Sequence, residues 1–379
     1  MNYSELQTPC FVLDATELRR LYRSFRDALG AHFAASEVAY SVKTNSNPTL
    51  LQILREEGAT AEVVSNTEYD LATSLGFRHI IFNGPVKGKE YFMKALMDGQ
   101  VVNIDSKREL DWLEEFPTGV RASVGLRVNV SLPGDDTFSR FGFDDKELAD
   151  AIGRIRALPN VKLSGLHLHR TSSTRSLEVY AAIAARATEV LKAFDIQPDY
   201  IDIGGGYFGS MPGKPTFEDY AATLARGLKD FPEARILVEP GNALCAGVFS
   251  FHASVLDVKD IGGETVVVCD GSRNDVDPFF RKSDYFKSFP TVEEGRPLAA
   301  SQTVAGGTCL ENDRLFHLEN APALRIGDRI AFANTGAYTM ALSPLFIRYF
   351  PRVYVLENGN YSLSSREWGA QDYLNAYGL

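Results

Sequence analysis

Val38-Ala-Tyr-Ser-Val-Lys-Thr-Asn45 is an apolar run that carries a lysine near its end, and Asn47-Pro48-Thr-Leu-Leu-Gln-Ile-Leu-Arg-Glu-Glu-Gly58 follows at once. The first stretch reads as a buried strand. The second reads as a helix: Leu50, Leu51, Ile53 and Leu54 form one apolar face, Asn47 is a natural N-cap, Pro48 suits the first helical position, and Gly58 ends it. The same alternation recurs between about residues 36 and 240. The later strand-like runs are ATAEVVS (59–65), HIIFNGP (79–85), QVVNIDS (100–106), VGLRVNV (124–130), LSGLHLH (163–169), DYIDIGGG (199–206) and RILVEPG (235–241). Eight strand–helix units predict a (β/α)8 barrel over residues 30–245, with a doubly wound open sheet as the competing arrangement. Beyond Gly241 the texture changes. FSFHASVLDV (249–258), ETVVVCDG (264–271), DRIAFANTG (328–336) and RVYVLENGNYSL (352–363) are β-rich, without long helical windows between them. A mostly-β domain of residues 246–379 is expected. Residues 1–29, with the strand-like TPCFVLD (8–14), are expected to join it.

Composition sets broad limits. The 379 residues are 45% hydrophobic and 23% charged, with a net charge of -10, as in an ordinary soluble globular protein. Acids and bases are interspersed, which argues against a nucleic-acid or membrane-surface partner. The stretch MNYSELQTPC lacks the basic-then-apolar pattern of a signal peptide, and no apolar run reaches the ~18 residues of a membrane span. Cys10, Cys245, Cys269 and Cys309 show no CxxC spacing and read as thiols of a cytoplasmic protein.

Barrels of this kind carry their chemistry at the C-terminal ends of the strands. Those ends hold Lys43, Glu62, Arg127, His169, the triplet Gly204-Gly205-Gly206, and Glu239-Pro240-Gly241. Each has an ordinary explanation taken singly: a lysine reaching solvent, a hydrogen-bonded histidine, a tight turn, a helix cap. Taken together they form a chemical set. Consecutive glycines present backbone N–H groups to a phosphate. An amine can form a Schiff base with an aldehyde. A carboxylate can keep a pyridine nitrogen protonated, and an imidazole can lie flat on an aromatic ring. Pyridoxal 5′-phosphate carries all the matching groups, and no metal is called for.

On these residues the chain resembles the fold-type III pyridoxal-phosphate decarboxylases, the group of ornithine, diaminopimelate and carboxynorspermidine decarboxylases. The resemblance runs through TPCFVLD, YSVKTN, AEVVSNTE (61–68), SRFGF (139–143), GLHLHRTSS (165–173), IDIGGGYFG (201–209), VEPG (238–241), GGTCLENDRL (306–315) and GAYTM (336–340), in the family order. It implies an alanine-racemase-like barrel with a β domain, and a homodimer whose active sites are shared between subunits. It further implies that Lys43 binds the cofactor and that His169 stacks on it. Glu62, Arg127, Ser172, Gly204, Gly205, Gly206, Gly241 and Tyr338 would surround it, and Glu239 would face the pyridine nitrogen. Cys309 would donate a proton after CO2 leaves. The substrate side would include Asp313, Leu310, Arg273, Arg281 and Phe346. A carboxylate at the ring nitrogen favours decarboxylation over racemisation, because it strengthens the electron sink.

The pattern breaks where the substrate would be read. Family members often have arginine after EPG, where Asn242 stands, and an acid after the cysteine, where Leu310 stands. The histidine motif carries Arg170, and the position of a substrate-binding arginine holds Pro278. The expected substrate is therefore a diamino-acid-like or conjugated amino acid, as in polyamine, siderophore or antibiotic pathways. A racemase or aldolase on the same cofactor, and a non-catalytic cofactor-binding homologue, are the alternatives.

Overall fold

A computed structural model of the protein describes residues 5–132, 139–170 and 174–378. The chain divides into two compact units, one of residues 19–244 and one of residues 1–18 with 245–379. Ser172, one of the residues expected around the cofactor, lies outside the described residues.

After β1 (Cys10–Asp14) and α1 (Ala15–Gly30), strands and helices alternate. They are β2 (Ser36–Ser41), α2 (Pro48–Glu56), β3 (Thr60–Val63), α3 (Asn66–Ser74), β4 (Ile80–Phe82), α4 (Lys89–Met97), β5 (Val101–Ile104), α5 (Lys107–Glu114), β6 (Ala122–Arg127), α6 (Asp145–Arg156), β7 (Val161–His167), α7 (Leu177–Ala193), β8 (Tyr200–Asp202), α8 (Phe217–Gly227) and β9 (Arg235–Val238). Strands β2 to β9 pair in parallel in chain order, and β9 pairs back onto β2 with Val238 opposite Val38. The sheet is thus a closed barrel rather than an open one. Its strands are short and covered on both faces, which is why they read as continuous apolar runs rather than alternating ones.

The first β-α unit forms as its sequence dictates. The Asn47 side chain accepts the N–H groups of Thr49 and Leu50 at 3.0 and 3.1 Å, Pro48 opens α2, and Leu50, Leu51, Ile53 and Leu54 are buried. Gly58 follows the helix at a φ of 91°. Lys43 sits in the single 3-10 turn Val42–Thr44 between β2 and α2, at the C-terminal end of the barrel.

The other unit is built on one nine-stranded sheet. Its further strands are β10 (Phe249–Ile261), β11 (Glu264–Cys269), β12 (Lys287–Ser288), β13 (Leu298–Ala305), β14 (Arg314–Pro322), β15 (Arg329–Ala333), β16 (Arg352–Glu357) and β17 (Asn360–Ser365). The order is β14-β13-β11-β10-β1-β16-β17, with β15 against β10 and β12 against β15. The N-terminal strand is central. Phe11 stands opposite Phe251 on antiparallel β10 and opposite Val353 on parallel β16. Leu6, Cys10, Val12, Tyr354 and Leu356 pack together beneath it. Among the described residues, no helix is long and apolar enough to cross a membrane.

Candidate active site

The C-terminal ends of the barrel strands carry a continuous polar network. The Lys43 ammonium lies 2.6 Å from Glu62 Oε2 and donates to Ser41 Oγ at 2.7 Å. Its side chain is 38% exposed while that of Glu62 is 1% exposed, so the amine is reachable and its partner is not. Glu62 is held in a wholly buried strand because every donor it needs is adjacent. Ser41 Oγ donates to Oε2, and Asn83 Nδ2 donates to Oε1 at 3.2 Å.

Glu239 follows β9 directly, its backbone N–H donating to Gly204 O at 2.8 Å. It is buried beside His167 and Asp202, with one ligand-type atom of each within 4.8 Å of the others. His167 Nε2 lies 3.4 Å from its carboxylate, and Asn83 Nδ2 donates to its Oε1. Burial pushes the Glu239 carboxyl up, but the nearby His167 and Lys43, with the adjoining Asp202, outweigh it and hold the group well below the usual range. Asp202 moves the opposite way. Burial first, then the neighbouring Glu239 charge, raise it well above the usual range. Of the two acids, Glu239 bears the charge and Asp202 the proton.

The glycine turn follows β8. Gly204 and Gly206 adopt φ of 69° and 95°, and a Cβ on Gly205 would stand 2.3 Å from Glu239 O. The turn therefore needs glycine on conformational and steric grounds together. His169 Nδ1 accepts the Gly205 N–H at 3.1 Å. Burial pushes the imidazole down to about 3, with Arg127 adding to the effect against the attraction of Glu239. The ring is thus neutral, with its proton on Nε2. Arg127, at the end of β6, pairs with Asp105 at 3.1 Å and lies over the Phe141 ring at 4.5 Å. Phe141 belongs to the SRFGF stretch, which is docked on β6 through Phe143 N to Arg127 O and Asn129 N to Phe143 O, both 2.9 Å. Gly241 lies against Thr44 and Ser41, where a side chain would collide with Thr44 Oγ1. The barrel thus gathers Lys43, Glu62, Arg127, His169, Gly204, Gly205, Gly206, Glu239 and Gly241 at one end.

The β-rich unit holds the remaining candidates. Cys309 is exposed on the loop between β13 and β14, and Leu310 beside it is exposed as well. Asp313 is buried and its carboxylate serves the loop. Oδ1 accepts Arg273 N at 2.8 Å, and Oδ2 accepts Thr308 N at 3.2 Å and Thr308 Oγ1 at 2.6 Å. The Arg273 guanidinium donates to Asp277 Oδ2 and Lys282 O, both at 2.8 Å. Arg281 lies over the Phe279 ring at 4.8 Å. Tyr338 is exposed at a φ of 55°, and Phe346 lines a small cavity of about 120 Å³ with Thr308 and Arg348.

The barrel-end set fits a cofactor with an aldehyde, a phosphate and a basic ring nitrogen. It offers a reachable amine, a turn with no side chains, a buried anionic carboxylate and a neutral imidazole. A family model described as the pyridoxal binding domain of pyridoxal-dependent decarboxylases matches residues 15–246. The chain belongs to that family. The decarboxylase is 27% identical over 380 residues to diaminopimelate decarboxylase of Aquifex aeolicus, covering 94% of this chain and 88% of the relative. It is 27% identical over 406 residues to an L-glutamyl-[BtrI acyl-carrier protein] decarboxylase of Niallia circulans, covering 97% and 92%. A diaminopimelate decarboxylase from Helicobacter pylori, solved in complex with L-lysine, shares the fold with a TM-score of 0.85 at 24% identity over 100% of both chains. The protein is a pyridoxal-phosphate-dependent amino-acid decarboxylase.

Several polar residues of the decarboxylase were not singled out from the sequence: Ser41, Asn83, Asn103, His167, Tyr200 and Asp202. Each stands in or just beyond a barrel strand, within runs otherwise apolar. That was the available signal, since a polar side chain in a strand covered on both faces must find partners inside the barrel.

Proposed function

We propose that the decarboxylase removes the α-carboxyl of a diamino-acid-like or conjugated amino acid at the C-terminal end of its barrel. Residues 30–245 would hold the cofactor. The observation that carries this reading is the convergence of Lys43, Glu62 and Glu239 on one buried network. Bound pyridoxal phosphate supplies an electron sink for the α-carbon. Lys43 would hold the cofactor's aldehyde carbon, and Glu62, 2.6 Å from its ammonium, is placed to take the proton that the amine must lose first. Glu239 would keep negative charge at the ring nitrogen, and neutral His169 would cover a ring face. The Gly204–Gly206 turn, Arg127, Ser172, Gly241 and Tyr338 are the remaining candidates around the cofactor. Cys309 would protonate the α-carbon from the partner subunit of a cytoplasmic homodimer.

The substrate reading rests on the Cys309 loop. Leu310 offers no charge, and both oxygens of Asp313 are engaged, Oδ1 by Arg273 N and Oδ2 by Thr308. Neither residue is then a free carboxylate for a distal ammonium, which favours a neutral or conjugated distal group. The relative that acts on a glutamyl group carried by a protein agrees with this. Diaminopimelate is the second reading, favoured by the Aquifex relative. Release of CO2 from a panel of free and conjugated amino acids decides between them. Borohydride reduction of cofactor-loaded enzyme, followed by mass spectrometry, should place the cofactor on the Lys43 peptide. A cofactor found on another lysine would overturn the site.

A further inference from the structure

Two buried carboxylates, Glu62 in β3 and Glu239 just after β9, stand on opposite sides of β2 and would repel each other if nothing stood between them. What stands between them is one amide. Asn83 Nδ2 donates to Glu62 Oε1 at 3.2 Å and also to Glu239 Oε1, so the two hydrogens of one amino group serve the two acids. The amide is not free to turn over. Its Oδ1 accepts Asn103 Nδ2 at 2.9 Å, and Asn103 Oδ1 in turn accepts Tyr200 OH at 2.8 Å. Asn103 Nδ2 also reaches Asp202 Oδ2 at 3.4 Å. The donor chain runs one way, from Tyr200 through Asn103 and Asn83 to the carboxylates. The backbone secures it at both ends. Asn83 N donates to Val63 O at 2.9 Å, and Gly125 leaves the room that Asn103 and Tyr200 fill, since a Cβ there would lie 2.1 Å from either side chain.

We propose that Asn83 is a positioning residue that ties the Lys43–Glu62 pair to Glu239, fixing both carboxylates toward the barrel mouth through a single amide latched by Asn103 and Tyr200. The inference rests on the reading that Lys43 and Glu239 serve the cofactor. Among the described residues, the charged and titratable groups around the bridge are Lys43, Glu68, Asp202, His167, His169, Arg127, Tyr200 and Tyr207. Among the described residues, only Asn83 contacts both carboxylates with a neutral donor, so its effect is separable from theirs. If Asn83 is removed, each acid loses a hydrogen bond made to its charged form. Glu239 should then hold its proton to higher pH, by about one to two pH units.

The test is a pH titration of the Glu239 carboxyl by infrared spectroscopy on the full chain, with and without pyridoxal phosphate. The variants are Asn83→Ala and Asn103→Ala, with Glu239→Gln to assign the band. Asn83→Ala should move the midpoint up by about one to two pH units, lower kcat about 10-fold or more, and change KM little. Asn103→Ala leaves the amide in place but unlatched, and should move the midpoint the same way by less. If Asn83→Ala does not fold, the Asn103→Ala shift carries the decision. An unchanged midpoint in the folded variants would overturn the bridge. Its failure is distinct from failure of the active-site reading, because the titration is made without cofactor as well, whereas the Lys43 assignment depends on the cofactor-loaded peptide.

Discussion

Lys87→Met should destabilise the barrel unit by about 3–5 kcal/mol, the cost of stranding one member of a buried ion pair. Lys87 and Glu109 are both 0% exposed at their side chains and lie 3.1 Å apart. Lys87 also donates to Gly84 O at 2.9 Å, while Glu109 accepts the backbone N–H of Asp105 at 2.8 Å. Methionine fills the aliphatic volume of lysine, so the loss is one of charge and hydrogen bonding rather than of packing. For a unit of this size, about 2–4 °C per kcal/mol gives a fall in Tm of about 6–20 °C. The pH dependence has a definite sign. Burial already pushes the Glu109 carboxyl above its ordinary 4.5 against the pull of Lys87, and without Lys87 it rises further. An acid whose folded pKa exceeds its unfolded value favours folding most below the unfolded value. The variant should therefore lie closest to the parent protein below about pH 4.5 and fall away as pH rises toward neutral. Calorimetry across that range, repeated on Lys87→Met/Glu109→Leu, measures the effect. The double variant leaves no stranded charge and should recover most of the loss. A single variant within about 1 kcal/mol of the parent, or a double variant as poor as the sum of both singles, would refute the reasoning.

Glu239→Gln should retain the cofactor but lower kcat by at least ~100-fold, as when one electrostatic stabiliser is removed; an unchanged rate in steady-state assays would take Glu239 out of its role. Asp313→Asn replaces one accepting oxygen with a donor, so it should cost about 1.5–3 kcal/mol in thermal denaturation and speed alkylation of the already exposed Cys309 as its loop loosens. His169 is held down to about 3 from an ordinary 6.5, mainly by burial. Its contribution to stability should be complete above pH 6.5 and drain away as pH falls toward 3, and His169→Phe should flatten that part of the stability profile. Lys43→Ala and Cys309→Ala should each be inactive, and mixing them after dissociation should restore about a quarter of the activity if sites are shared across a two-fold interface. Exchange of subunits, proven by mass spectrometry, without recovery would exclude shared sites.

The strands and helices of the barrel were legible because each is signalled locally. Asn47, Pro48 and Gly58 specify α2 within a dozen residues, and the covered strands announce themselves as short apolar runs. The strand ends were legible for the same reason, so Lys43, His169 and Glu239 could be placed at one mouth before their distances were known. Closure of the sheet was not local. It depends on β9 meeting β2 across some two hundred residues, with Val238 beside Val38, and an open sheet would have used the same runs. The polar network was hidden for a related reason. Asn83 and Glu239 are 156 positions apart and Asn103 and Asp202 are 99 apart, so their pairing follows from strand register and barrel closure rather than from any motif. Asp313 shows the same division. The sequence placed it four residues after Cys309, but the fold turns its carboxylate onto Thr308 and Arg273 N, because a buried carboxylate must take the nearest donors. Residue types and strand ends follow from the order of side chains along the chain. Which acid keeps its proton, and which amide joins two carboxylates, follows only from what the fold packs around them.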